Sequence, residues 1–200
     1  MMHNTSERVL SGFEDPTLNA QAVFRVLLEG MSHPGRILRM PPVFDAPPQG
    51  LDSAAAAVCL TLLDGDTSLW TDLDGTSPIL PWLRFHCGCP VVVDPVRAHF
   101  GLATAAVRLP ALANFQPGTD EAPETAATLI LQVEALSAGG PCRLSGPGLQ
   151  DDRRLEAVGL PPGFWDERRL LGKAFPLGLE FIFVCGARLA ALPRSTRVDV

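Results

Sequence analysis

The chain has 200 residues, 46% of them hydrophobic, enough to close one core and too few for two full domains. Its net charge of −6 excludes a general nucleic-acid binder, which needs a basic stripe to displace counterions from phosphates. Lys173 is the single lysine, so local anion recognition would rest on the arginine fork, although the codon usage of a GC-rich genome produces the same bias.

The opening residues carry no basic region followed by an apolar run, which predicts no secretory signal. No apolar stretch approaches the roughly 20 residues that span a bilayer. Together these predict a cytoplasmic protein with no membrane partner. Five scattered cysteines, Cys59, Cys87, Cys89, Cys142 and Cys185, suit reduced thiols better than a disulfide framework.

Residues 1–12 are polar and aperiodic and read as a flexible tail, leaving 13–200 as one domain. Asp15-Pro16 is an N-cap with proline in the first turn, and Val23, Phe24, Leu27, Leu28 and Met31 mark one face of the helix that follows. Pro34-Gly35 stops it. Residues 36–40 read as a strand, 41–50 as a proline-rich loop, and 54–63 as an alanine-rich helix after Asp52-Ser53. A short strand is expected at 68–70, a helix at 79–85 after Ser77-Pro78, and a buried strand at Val91-Val92-Val93.

Farther on, 99–102 reads as a strand and 105–115 as a short helix broken at Pro110. Residues 128–136 alternate as a strand, with 137–140 the turn of a hairpin returning through 142–144. The polar stretch 149–160 reads as irregular with helical turns, 164–171 as a helix, 179–184 as a strand and 194–200 as an edge strand. Strands and helices mixed along the whole length predict an α/β fold, a layered sheet of mixed parallel and antiparallel strands flanked by helices.

Six short blocks stand in order along the chain. They are Phe24-Arg25 with Met31 and Pro34-Gly35; Leu63-Asp64; Pro123-Glu124; Leu144-Ser145-Gly146-Pro147-Gly148; Phe175-Pro176-Leu177-Gly178; and Leu192-Pro193-Arg194-Ser195-Thr196. In these blocks the sequence resembles the PhnH family, whose members belong to the bacterial carbon–phosphorus lyase core complex of phosphonate metabolism. The resemblance implies a homodimer, with a fold similar to the large domain of pyridoxal-phosphate-dependent transferases but without that cofactor or any other. It implies the other core subunits (G, I and J) as partners, and a joint reaction in which an alkylphosphonate replaces the adenine of ATP at ribose C1. It supplies no catalytic residue for a chain of this family. Glu180 and Ser195 depart from the family pattern, where aspartate and threonine are more usual, and each keeps its chemical class.

Among candidate substrate contacts, Arg194 with Ser195 and Thr196 offers a guanidinium and two hydroxyls to a phosphonate or triphosphate. Its structural alternative is an ion pair with a carboxylate such as Glu124 or Asp64. Ser145, Gly146 and Gly148 form a turn whose N–H groups could cradle an anion, though Pro147 removes one donor and no Gly-Lys-Ser/Thr follows. A plain tight turn is the alternative. Glu124 joins this set from its own block.

Phe24 and Arg25 are expected at an interface. His33 is expected to cap the first helix. His86-Cys87-Gly88-Cys89 has metal-ligand side chains at the wrong spacing for a zinc knuckle, so no metal is expected. No Gly-x-Ser-x-Gly elbow marks a catalytic triad. Two rivals to membership of a multi-subunit transferase are a stand-alone pyridoxal-phosphate transferase using Lys173 and a purely structural dimeric scaffold without a ligand.

Overall fold

The computed structural model describes residues 11–43 and 46–200. The tail expected over residues 1–12 therefore lies almost wholly outside the described residues. Helix α1 spans Pro16–Ser32, and the Asp15 carboxylate accepts from Thr17 N and Leu18 N at 3.1 and 3.0 Å, satisfying two of its free amides. At its far end the ring Nδ1 of His33 lies 3.1 Å from Glu29 O, as expected of a cap. Helix α2 (Ser53–Leu62) has six consecutive buried residues, from Ala54 to Cys59, so its alanines let it pack closely on every side. Helices α3 (Ile79–Cys87) and α4 (Phe164–Leu171) complete the set.

Among the described residues nine strands form two sheets: β1 (Leu38–Arg39), β2 (Leu69–Thr71), β3 (Phe100–Ala103), β4 (Thr128–Gln132), β5 (Ala135–Ser145), β6 (Arg153–Val158), β7 (Glu180–Cys185), β8 (Arg188–Leu192) and β9 (Arg197–Asp199). The larger has the order β1-β8-β7-β4-β3-β2. Its β2, β3, β4 and β7 run parallel, whereas β8 is antiparallel to β7 and to β1. The smaller is antiparallel, in the order β6-β5-β9.

Side chains alternate across the large sheet. Ile130, Ile182 and Val184 pack on the side of α1, α2 and α3, while Leu129, Leu131, Phe181 and Phe183 face α4 and the small sheet. The result is a layered α/β arrangement with a mixed sheet in the middle. Among the described residues no helix is long and apolar enough to cross a membrane.

Four local expectations are corrected. Val91-Val92-Val93 is not a buried strand: Val91 makes one isolated bridge to Leu69, and Val93 is 94% exposed. Asp94 caps a 3-10 turn over Pro95–Arg97 and draws the chain away before a ladder can grow. Residues 137–140 do not reverse the chain but lie inside β5, where the register against β6 shifts between Ala138 and Cys142. Gly140, at φ +78°, sits where a Cβ would fall 2.6 Å from Glu156 Cβ, so it serves a bulge and not a hairpin turn.

The stretch 149–160 contains β6, an edge strand whose one fully buried side chain, Leu155, leaves the alternation faint. The region 105–115 holds two 3-10 turns, Ala106–Arg108 and Leu112–Asn114, instead of a broken helix. Strand β8 is an element that the sequence pattern does not predict.

Candidate functional site

Five of the six blocks meet on one side of the molecule, and Leu63-Asp64 at the end of α2 stays outside the group. The exit of α1 lies against the 145–148 turn: a Cβ on Gly148, whose φ is +81°, would fall 2.3 Å from Ser32 O. That turn in turn touches the C-terminal block, since a Cβ on Gly146 would lie 3.3 Å from Ser195 O and Ser145 pairs in register with Arg197. Arg153 ties the same corner by donating to His33 O and Pro34 O at 3.1 and 2.7 Å.

Between these segments lies a cleft of about 350 Å³, lined by Met31, Ser32, Pro147, Gly148, Glu180, Pro193 and Ser195. Its walls are largely apolar, with Ser195 and Glu180 among its polar residues. The Ser32 hydroxyl turns back into its own helix, donating to Leu28 O at 2.6 Å.

Arg194 pairs with Glu180, and not with Glu124 or Asp64. Its Nε lies 3.5 Å from Glu180 Oε1 and its backbone N–H donates to Glu180 Oε2 at 2.8 Å. Its Nη1 donates to Pro123 O at 2.6 Å, which brings the Pro123-Glu124 block to the same corner. The Glu124 side chain is itself exposed. Thr196 is buried, and its hydroxyl has no hydrogen-bond partner among the described residues. Of the sequence candidates, then, Gly148 and Ser195 line the cleft, Arg194 and Glu124 flank it, Ser145 and Gly146 form the turn behind it, and Thr196 lies beneath. Phe24 and Arg25 are exposed on the outer side of α1.

A residue missed in the sequence organises the site from below. Arg168 on α4 is 1% exposed, and its Nη2 donates to the carbonyls of Pro193, Arg194 and Thr196 at 2.9, 3.3 and 3.0 Å. Its guanidinium carbon stands 5.7 Å from the centre of the Phe181 ring. Burial pulls its pKa below the ordinary arginine value, and the Glu180 charge opposes that shift. A single buried cation thus gathers three carbonyls of the 193–196 segment. The available signal was periodicity, because Arg168 falls one turn after the buried Phe164 and so shares its face.

The pattern of the family described as bacterial phosphonate metabolism protein (PhnH) matches residues 11–199. The chain belongs to the PhnH family. A relative from Rhizobium meliloti (strain 1021), named alpha-D-ribose 1-methylphosphonate 5-triphosphate synthase subunit PhnH, is 34% identical over 194 residues, covering 96% of each chain. A second, from Stutzerimonas stutzeri and named putative C-P lyase subunit protein HtxG, is 33% identical over 182 residues, covering 90% of this chain and 86% of the relative. The PhnH match takes in every element from α1 to β9, so the cleft, its two loops and Arg168 all lie within it.

Proposed function

We propose that this chain is a subunit of a carbon–phosphorus lyase core assembly, supporting transfer of an alkylphosphonate to the ribose C1 of ATP with release of adenine. The observation that carries this reading is the match along 96% of both chains to a relative named as a subunit of the ribose 1-methylphosphonate 5-triphosphate synthase. Three of the blocks line one cleft, through Met31, Pro147-Gly148 and Pro193 with Ser195, which supports a site there. In this reading the 145–148 and 193–196 loops face nucleotide or phosphonate in the cytoplasmic complex. Arg194 keeps Nη2 uncommitted among the described residues, and the nearby Ser195 hydroxyl is a second donor.

The partners proposed are a second copy of this chain and the other core subunits (G, I and J). The outer side of α1, with Leu18, Phe24 and Leu28 exposed beside Arg25, suits such a contact. The finer fold likeness, to the large domain of pyridoxal-phosphate transferases, is supported by the four parallel strands with helices on both sides. Lys173, on which a stand-alone pyridoxal-phosphate enzyme would depend, is exposed in the 3-10 turn Gly172–Ala174 and does not line the cleft. The geometry therefore favours a role within the assembly.

Reconstitution tests it. The core subunits incubated with ATP and methylphosphonate should release adenine only when this chain is present, and the chain alone should release none. Turnover by the chain alone, or an undiminished rate when it is omitted, would overturn the proposal.

A further inference from the structure

The charge and shape of the cleft select among the ligands open to it. Along β7, Glu180 alternates in phase with Ile182 and Val184, which pack toward the helices α1 to α3. Its side chain therefore points to the α1 face, where Met31 and Ser32 line the cleft. The Glu180 carboxylate accepts from Arg194 N at 2.8 Å and lies 3.5 Å from Arg194 Nε, which leaves lone pairs for a further donor. Pro147 and Pro193, one on each of the two loops that line the cleft, have no N–H to offer an anion. A carboxylate beside two such prolines disfavours a phosphonate or phosphate group within the cleft itself.

The same surfaces suit a flat, uncharged ring that carries an N–H donor on its edge. Pro147 and Pro193 are apolar faces against which such a ring can lie, and the Met31 thioether adds a sulfur–ring contact. The volume of about 350 Å³ falls within the range of small-molecule sites, roughly 300–1,000 Å³. We propose that the cleft binds the adenine ring of the nucleotide, with the Glu180 carboxylate accepting from its 6-amino group. This rests on the reading of the chain as part of an ATP-consuming assembly, and it assigns the base, not the phosphonate, to the cleft. A site built around that donor rejects a purine that lacks it, because the carboxylate is then left without its partner.

The test measures binding to the intact purified protein and to the reconstituted core. Adenosine should bind at least about tenfold more tightly than purine riboside, the same nucleoside without the amino group. Methylphosphonate should not displace it. Light-activated 8-azidoadenosine should attach to residues 26–36 or 144–153, the peptides that cleavage after arginine releases with Met31 and with Pro147-Gly148. Glu180→Gln keeps the volume but not the charge, so the preference for adenosine should narrow by at least about threefold. Equal affinity for the two nucleosides, displacement by methylphosphonate, label confined to other peptides, or no adenosine binding to either preparation would overturn the proposal. The wild-type series decides even where the glutamine variant does not fold. Adenine release that needs this chain while its cleft peptides stay unlabelled would refute the base site and leave the role in the assembly standing. Selective adenosine binding by a chain that can be omitted without loss of rate would support the base site and refute that role.

Discussion

Replacing Arg168 by methionine probes the device that holds the 193–196 segment. Methionine keeps most of the buried stem and removes the guanidinium, leaving the carbonyls of Pro193, Arg194 and Thr196 without their shared donor. An unsatisfied buried acceptor costs about 1–3 kcal/mol. Pro193 and Arg194 are only half-buried, so water can reach their carbonyls, whereas Thr196 is buried and its carbonyl is the one left bare. Against this, the variant no longer holds a buried cation without a carboxylate in contact, which offsets part of the loss. The balance is a net loss of about 1–2 kcal/mol. For a chain of this size that corresponds to a fall in Tm of roughly 2–8 °C.

Arg168→Lys keeps the charge but cannot span three carbonyls from one nitrogen in the same geometry, so it should recover less than half of the loss. Denaturant unfolding of the isolated protein, analysed for both midpoint and slope, is the assay. If Arg168→Met unfolds within about 0.5 kcal/mol of the wild type, the guanidinium is not what gathers the loop, and the structural account of the cleft floor fails.

Three further outcomes are expected. Arg194→Lys should leave the isolated protein folded but slow adenine release by the reconstituted complex about 5- to 150-fold, since the fork is lost while the charge remains; a variant that is destabilised yet fully active in the complex would refute anion contact at Arg194. Gly148→Ala should cost at least about 1–2 kcal/mol in thermal unfolding from the left-handed backbone alone, and more because its Cβ meets Ser32 O at 2.3 Å; a variant as stable as the wild type would mean that the turn does not abut α1. At alkaline pH the Cys142 thiol should matter, because burial pushes it from an ordinary 9.0 up to about 12. Above pH 9 the unfolded chain gives up this proton while the folded one keeps it, so the thiol's contribution is intact below pH 9 and is lost as pH rises toward 12. Unfolding free energies of wild type and Cys142→Ala should therefore converge between about pH 9 and 11, and a constant gap across that range would contradict the buried thiol.

Local chemistry alone makes several features legible in the sequence. Asp15-Pro16 and Pro34-Gly35 mark the two ends of α1 whatever the surroundings, because capping and left-handed turns depend on the residues at hand. Alternation over 128–136 and the apolar run over 179–184 identify the strands β4 and β7. The six blocks suffice for the family, because a resemblance needs only residue order.

The remaining features were settled by packing between distant segments. Gly139-Gly140 permits a reversal or a bulge equally well, and it is pairing with Leu155 on both sides of the irregularity that selects the bulge. Val91-Val92-Val93 has the composition of a strand but only one residue of partner, since the chain turns off at Asp94 after a single bridge to Leu69. Arg194 takes Glu180 over the expected partners because the end of β8 lies beside the start of β7, and sequence spacing does not mark a carboxylate 14 positions away. Arg168 was hidden for the same reason. A buried arginine is tolerated only where carbonyls from a distant loop converge on it, and that convergence is a property of the packed layers, not of α4.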